Sequence, residues 1–303
     1  MMEAVEIFWT PAGVTMSASG TRALVDITDG DTPNIRMPVR MLSVDTPEVT
    51  ARTDARAGAI DQEFAQLAEW IEAGRAPISR ALGEFLLPKL ATGRAGTLQF
   101  KQGKEASAFA KQNVEQRLTR PDGSKRSLFI RMDGHSPFDD NGRLLAYVAP
   151  NYSATERGNL SREERSTFNL DMVRKGWAAP FVIYPAVPGE LDLPLLLADA
   201  DAAISAPRGI WTEPDTLLAY EYRGLERLFQ ITKKIVGGAE VSAADRHSWR
   251  ERYCVDMRTR VLHGPEDYFT VAPAYRLWLW PRDVQEAVGR LNLVPSRKLA
   301  GAA

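Results

Sequence analysis

Residues 39–48 read VRMLSVDTPE, an apolar run that carries one arginine, Arg40, and ends in Asp45, Thr46, Pro47 and Glu48. Alternating apolar residues make 35–44 (IRMPVRMLSV) a buried strand. Upstream, DGDTPN (29–34) is turn-forming and RALVDIT (22–28) is a second strand, so the pair predicts a hairpin or tight meander. Asp31 precedes the apolar strand and Asp45 and Glu48 follow it, so folding the hairpin brings the carboxylates together. Two carboxylates that converge without a positive partner repel and shift each other's pKa unless a cation joins them. Aspartate oxygens, a threonine carbonyl and water make the hard oxygen site that Ca²⁺ prefers.

Each piece has a plain structural reading as well. DGDT is a common turn signature, Arg40 a strand arginine whose stem packs along apolar surface, and TPE a loop fixed by Pro47. Arg143, in NGRLLAYV (141–148), reads alone as a hairpin charge facing solvent. Together they have a common logic, because a divalent cation, two guanidinium forks and a free carboxylate are what phosphodiester hydrolysis needs.

Further out, Ile60, Phe64, Leu67, Trp70 and Ile71 recur at helical spacing, and a second helix carries Leu82, Phe85, Leu86 and Leu90. GKEASAFAKQNVEQRL (103–118) is a third helix, and SLFIRMD (127–133) and RLLAYVA (143–149) a second hairpin. STFNLDMVRKGWA (166–178) predicts a helix stopped at Gly176, and the stretch ending before Pro207 another. EIFWT (6–10), RYCVDMRTRVL and YRLWLWP have strand character, and 217–231 and 282–291 have helical character.

Chain length, 303 residues, predicts two domains or one with large insertions. Thirty-eight Lys+Arg against 39 Asp+Glu leave a formal charge of −1, so a polyanion has to be met by a local site rather than a global cationic field. Cys254 is the sole cysteine, which excludes an internal disulfide and favours a small buried hydrophobe; His135, His247 and His263 are too scattered for a zinc cluster. The acidic start of MMEAVEIFWT and the lack of a long apolar run predict a cytoplasmic protein without a membrane span.

The segments DGDT, VRMLSVDTPE, GKEASAFAK, NGRLLAYV, NLDMVRKGWA and GIW, in that order over roughly 22–211, resemble the staphylococcal nuclease-like (thermonuclease) family. The resemblance implies an α+β fold with a five-stranded OB-type barrel and packed helices. It implies that Asp31 and Asp45 coordinate Ca²⁺ (Mg²⁺ or Mn²⁺ being alternatives) together with the Thr46 carbonyl. It also implies that Arg40 and Arg143 clamp the scissile phosphate of DNA or RNA, and that Glu48 orients or deprotonates the attacking water.

Departures from the family accompany the match. Asp140 and Asn141 stand where such enzymes carry a Lys and a Tyr for the terminal phosphate. Val182 replaces one of two tyrosines near the nucleotide, and Tyr184 keeps the other as a substrate-binding candidate, with a core residue capped at its hydroxyl as the alternative. An insertion of about 52–100 either roofs the cleft, restricting it to single strands or short substrates, or packs against the barrel's side or the carboxy-terminal region. The expected division is a nuclease-like domain over 1–212 and an accessory α+β region over 213–303. Its arginine-rich 250–260 is either a phosphate-facing patch or a salt-bridged strand. A silent nucleic-acid or protein binding module, or an enzyme for a small phosphodiester, remain the competing functions.

Overall fold

The computed structural model describes residues 21–132 and 137–301, so the strand expected at 6–10, and His135, lie outside the described residues. The described chain divides into two compact units, one of 21–40, Met132 and 137–145, the other of 41–131 and 146–301.

In the first unit β1 (Ala23–Ile27) and β2 (Pro33–Arg36) form the expected antiparallel hairpin, with Leu24 opposite Ile35 and Ile27 opposite Pro33. The Thr28 amide donates to the Thr32 carbonyl (3.1 Å) and closes the turn that holds Asp31. Pro38 has no N–H for a ladder, and it separates β2 from β3 (Val39–Met41). The single strand expected over 35–44 is therefore three. Its second break falls before β4 (Ser43–Asp45), where Ser43 takes the left-handed φ of 61°.

In the second unit, α1 (Asp54–Glu72), α2 (Arg80–Leu90) and α3 (Ala95–Leu118) follow β4. Then come β5 (Leu128–Met132), β6 (Leu144–Pro150), which starts in the first unit, α4 (Ala154–Asn159), α5 (Phe168–Arg174), β7 (Ala179–Ile183) and α6 (Leu193–Ser205). The carboxy-terminal stretch holds α7 (Ala219–Val236), α8 (Ala243–Arg246), β8 (Tyr253–Asp256), β9 (Val261–His263), β10 (Arg276–Leu279), α9 (Val284–Leu291), β11 (Val294–Pro295) and α10 (Arg297–Ala300).

A six-stranded mixed sheet orders its strands β11-β9-β8-β10-β7-β4, so strands after residue 213 continue the sheet that ends at Asp45. Asp45 lies opposite Ala179 on antiparallel β7, and β7 runs parallel to β10 with Val182 opposite Leu277. The other sheets have two and three strands, and among the described residues none closes as a barrel.

Two apolar clusters explain these placements. Ile60, Phe64 and Leu67 of α1 interlock with Leu82, Leu86 and Leu90 of α2 and with Tyr222, Leu225 and Leu228 of α7. The inserted helices are thus packed against the carboxy-terminal region. Each such side chain contributes roughly 1.5–3 kcal/mol of burial energy. In the second cluster Val44 of β4, Leu170 and Val173 of α5, Val182 of β7, and Leu277 and Leu279 of β10 meet.

The turn after α5 brings KGWA and GIW together. A Cβ on Gly176 would sit 2.2 Å from the Arg208 carbonyl oxygen, and one on Gly209 would sit 2.4 Å from that of Gly176. Both glycines have positive φ, so backbone meets backbone there with no room for a side chain. Among the described residues no helix is long and apolar enough to cross a membrane.

Candidate functional site

The residues expected to form the site fall in both units. Asp31, Arg40 and Arg143 belong to the first, and Asp45, Thr46, Glu48 and Tyr184 to the second.

In the first unit Asp31 lies exposed in the β1–β2 turn and accepts from the Thr32 hydroxyl (3.2 Å). Arg40 lies half-buried in β3. Arg143 is folded onto its own turn: Asp139 accepts from its amide (2.9 Å), its Nε (2.7 Å) and its Nη2 (2.7 Å). Burial alone would raise the Asp139 carboxyl, but the Arg143 amide and guanidinium outweigh it and hold it below the usual range. Asn141 supports this turn by donating its amide to Asp139 (3.0 Å).

In the second unit local structure sets the β4 turn firmly. The Ser43 hydroxyl is hydrogen-bonded to that of Tyr147 (2.6 Å). The buried Asn169 amide donates to the carbonyls of Leu42 (2.9 Å) and Ala146 (3.2 Å), tying the NLDM segment to the start of β4. α3 supports the Pro47–Glu48 backbone. Gly103 leaves room there, since a Cβ would come within 2.9 Å of the Pro47 and Glu48 carbonyl oxygens. Gln99, with its amide oriented to suit both neighbours, accepts from the Glu48 amide (2.9 Å) and donates to the Leu217 carbonyl (3.1 Å).

The turn delivers Asp45 and Glu48 to one cationic centre, the Arg223 guanidinium of α7. Nη2 donates to Asp45 Oδ2 (2.8 Å), while Nη1 reaches both Asp45 Oδ1 (3.1 Å) and Glu48 Oε1 (2.5 Å). The Asp45 side chain is 2% exposed, and those of Glu48 and Arg223 are 21% and 27% exposed. Burial works against the Arg223 charge, yet the Asp45 and Glu48 carboxylates more than compensate and hold it above its ordinary range. Burial, then the Glu48 charge, pushes the Glu226 carboxyl up, with Arg56 opposing.

The carboxylate pair thus has the cation that its sequence calls for, supplied by an arginine that no motif marks. Arg223 sits in an amphipathic helix among Arg227, Lys233 and Lys234, and nothing in its neighbourhood distinguishes it from a solvated charge.

Asp45 offers carboxylate oxygens and Thr46 a backbone carbonyl, a hard donor set suited to a divalent cation. The donor types fit, and both Asp45 oxygens already accept from Arg223. Among the described residues no group of three or more His, Cys, Asp or Glu side chains is placed to hold a metal.

Tyr184 is buried, and its hydroxyl donates to Glu286 Oε1 of α9 (3.0 Å). Burial, then Glu286, holds its phenol above the ordinary range. Three of the four arginines of 250–260 are salt-bridged: Arg252 pairs with Glu251 (2.8 Å), Arg258 with Asp256 (3.0 Å) and Arg250 with Glu266.

Residues 38–213 match the family model described as staphylococcal nuclease homologue. A curated relative, Endonuclease YhcR of Bacillus subtilis (strain 168), is 26% identical over 155 residues, which cover 50% of this chain and 11% of that protein. The chain therefore spans only a small part of that relative. Domains of this family are OB-type α+β folds, in keeping with the helices and mixed sheets above. The matched span takes in VRMLSVDTPE and every later segment of the motif series and exceeds half of the chain, which therefore belongs to the staphylococcal nuclease homologue family.

Proposed function

We propose that this protein is a nuclease that hydrolyses phosphodiester bonds of DNA or RNA in the cytoplasm, with single-stranded or short nucleic acid among its candidate substrates. The observation that supports this most is the convergence of Asp45 and Glu48 on one cationic centre, in a chain of nuclease kinship.

In this reading the Arg40 and Arg143 forks grip the non-bridging oxygens of the scissile phosphate. Arg143 exchanges Asp139 for the substrate. Arginine suits both places because its planar fork meets two oxygens and keeps its charge. Glu48 takes a proton from water as the water oxygen attacks phosphorus in line. The bond to the leaving oxygen breaks, and that oxygen gains a proton from solvent, leaving a 3′-phosphate. The charge that grows on the equatorial oxygens is met by the two guanidinium groups.

Asp31, Asp45 and the Thr46 carbonyl are the residues that would hold Ca²⁺, or Mg²⁺ or Mn²⁺ instead. When bound, the ion supplies Lewis-acid polarisation of the phosphate. Tyr184 is the candidate substrate-side ring, reached only when its bond to Glu286 is given up. The domain is read as a five-stranded OB barrel within 1–212, with 213–303 as an accessory region.

A second reading, a silent binding module of the same fold, is favoured by one observation: Arg223 fills the Asp45 oxygens. Cleavage of labelled single-stranded DNA, duplex DNA and RNA with Ca²⁺, Mg²⁺, Mn²⁺ or EDTA separates the two. Metal-dependent cleavage by the wild type, lost in Glu48→Ala and Arg143→Ala, is expected of the nuclease. Binding of these polymers without cleavage under every metal would favour the module.

A further inference from the structure

Arg223 lies ten residues beyond the end of the family match at 213, so the features common to the family do not account for it. It nevertheless bonds the side chains of both Asp45 and Glu48. We propose that Arg223 is a resident counter-cation that competes with a divalent metal ion for Asp45 and thereby sets the metal affinity of the site.

Three features carry this. First, one guanidinium bonds both Asp45 oxygens and Glu48 Oε1, so a metal that approaches Asp45 meets a positive charge already seated on the same carboxylate. Second, α7 does not need Arg223 as an anchor. Tyr222, Leu225, Leu228 and Phe229 are buried in the core shared with α1 and α2, and Glu221 meets Lys89 of α2 at 3.1 Å. A buried ion pair is in any case weak evidence of net stabilisation, since its desolvation offsets its attraction. Third, the exposures differ in the direction displacement requires. Asp45 is sealed, whereas Arg223 keeps 27% of its side chain in solvent and can turn outward on its stem without repacking the helix.

Competition for one carboxylate is a negative coupling between two cations, and such coupling is reciprocal. Ca²⁺ must loosen the Arg223–Asp45 pair by the same factor by which Arg223 weakens Ca²⁺. The consequence for cleavage rests on the nuclease reading of this site, but the effect on metal affinity does not.

Isothermal titration of the full chain with Ca²⁺ tests the proposal, on wild type, Arg223→Lys and Arg223→Gln, each checked for native circular dichroism. The fork contributes the competition, so affinity is expected to rise from wild type to Arg223→Lys to Arg223→Gln, by about tenfold or more at the end of the series. In the wild type, saturating Ca²⁺ is expected to shift the Arg223 Nε–H resonance towards that of a solvent-exposed arginine. Equal Ca²⁺ affinity in all three folded proteins, or an Arg223 signal untouched by saturating Ca²⁺, would overturn the proposal and leave Arg223 a structural tie. Should Arg223→Gln not fold, the Lys variant and the wild-type resonance decide. Failure of cleavage in every variant would count against the nuclease alone, because neither the titration nor the resonance reads turnover.

Discussion

The Arg223 guanidinium bonds two carboxylates of unlike exposure, Asp45 with 2% and Glu48 with 21% of its side chain in solvent. Glu48 is marked by its spacing from Asp45 within VRMLSVDTPE, a short-range pattern that a sequence displays directly. Arg223 acts on Asp45 across 178 residues, and an arginine on the polar side of a helix looks the same whether it faces water or a carboxylate. What the sequence did expose was the need for a cation between the carboxylates, not its source. Cys254 is a simpler case. It is fully buried in the sheet, and burial pushes its thiol up to about 12. A thiol reagent such as a maleimide is expected to leave it unmodified in the native protein at pH 8 and to label it on denaturation. Fast labelling of the folded chain would mean that β8 opens locally.

At the scale of elements, caps matter more than propensity in two places. The N-cap residue of α3, Arg94, makes no side-chain cap, and the buried Asp61 of α1 accepts from the Gly96 (2.6 Å) and Thr97 (3.0 Å) amides instead. Asp61→Ala is therefore expected to cost about 1–2 kcal/mol in urea denaturation, and Asp61→Asn less, because an amide oxygen still accepts. An unchanged midpoint in Asp61→Ala would deny the cap. α4 carries a capping box in which Glu156 accepts from the Ser153 amide (2.8 Å) and pairs with Arg126 (2.6 Å).

The Ser153 amide, then Arg126, lowers the Glu156 pKa from 4.5 to about 2. A depressed carboxyl contributes stability that is fully present above the unfolded value and lost as pH falls through the folded one. The stability gap between wild type and Glu156→Gln, present at pH 7, is thus expected to close between pH 4.5 and about 2. A gap independent of pH would assign the effect to packing. The periodic helices were legible because Ile60, Phe64 and Leu67 repeat on one face. The cap of α3 was not, since its acceptor comes from another helix. The breaks in 35–44 come from Pro38 and from the left-handed turn at Ser43, neither of which interrupts the apolar pattern.

For the whole molecule, the long-range partners decide what folds. α1 and α2 share a core with α7, Trp249 and Trp278, and β8 to β11 continue the sheet that ends in β4. A chain ended at residue 213 loses the α7 face and four strands of the sheet, β8 to β11, including β10 beside β7, and is expected to show exposed hydrophobic surface by dye binding and no cooperative melt. A native-like, cooperatively melting 1–213 fragment would show that the first 213 residues fold without the α7 face and β8 to β11. The pairing of β7 with β10 joins residues almost a hundred positions apart, and no local pattern in YRLWLWP names its partner. The net charge of −1, by contrast, bears on the whole molecule directly: with no global cationic field, grip on a polyanion falls to a few arginines.

Phosphodiester hydrolysis by the Asp45–Glu48 turn is read by single-turnover cleavage of an end-labelled oligonucleotide. The assay compares wild type, Glu48→Gln and Arg223→Gln over a full Ca²⁺, Mg²⁺ and Mn²⁺ titration. Metal-dependent cleavage that falls by about 10² or more in Glu48→Gln is the predicted result. Cleavage that Glu48→Gln retains in full, or none from folded wild type and Arg223→Gln with any metal at saturation, would contradict it.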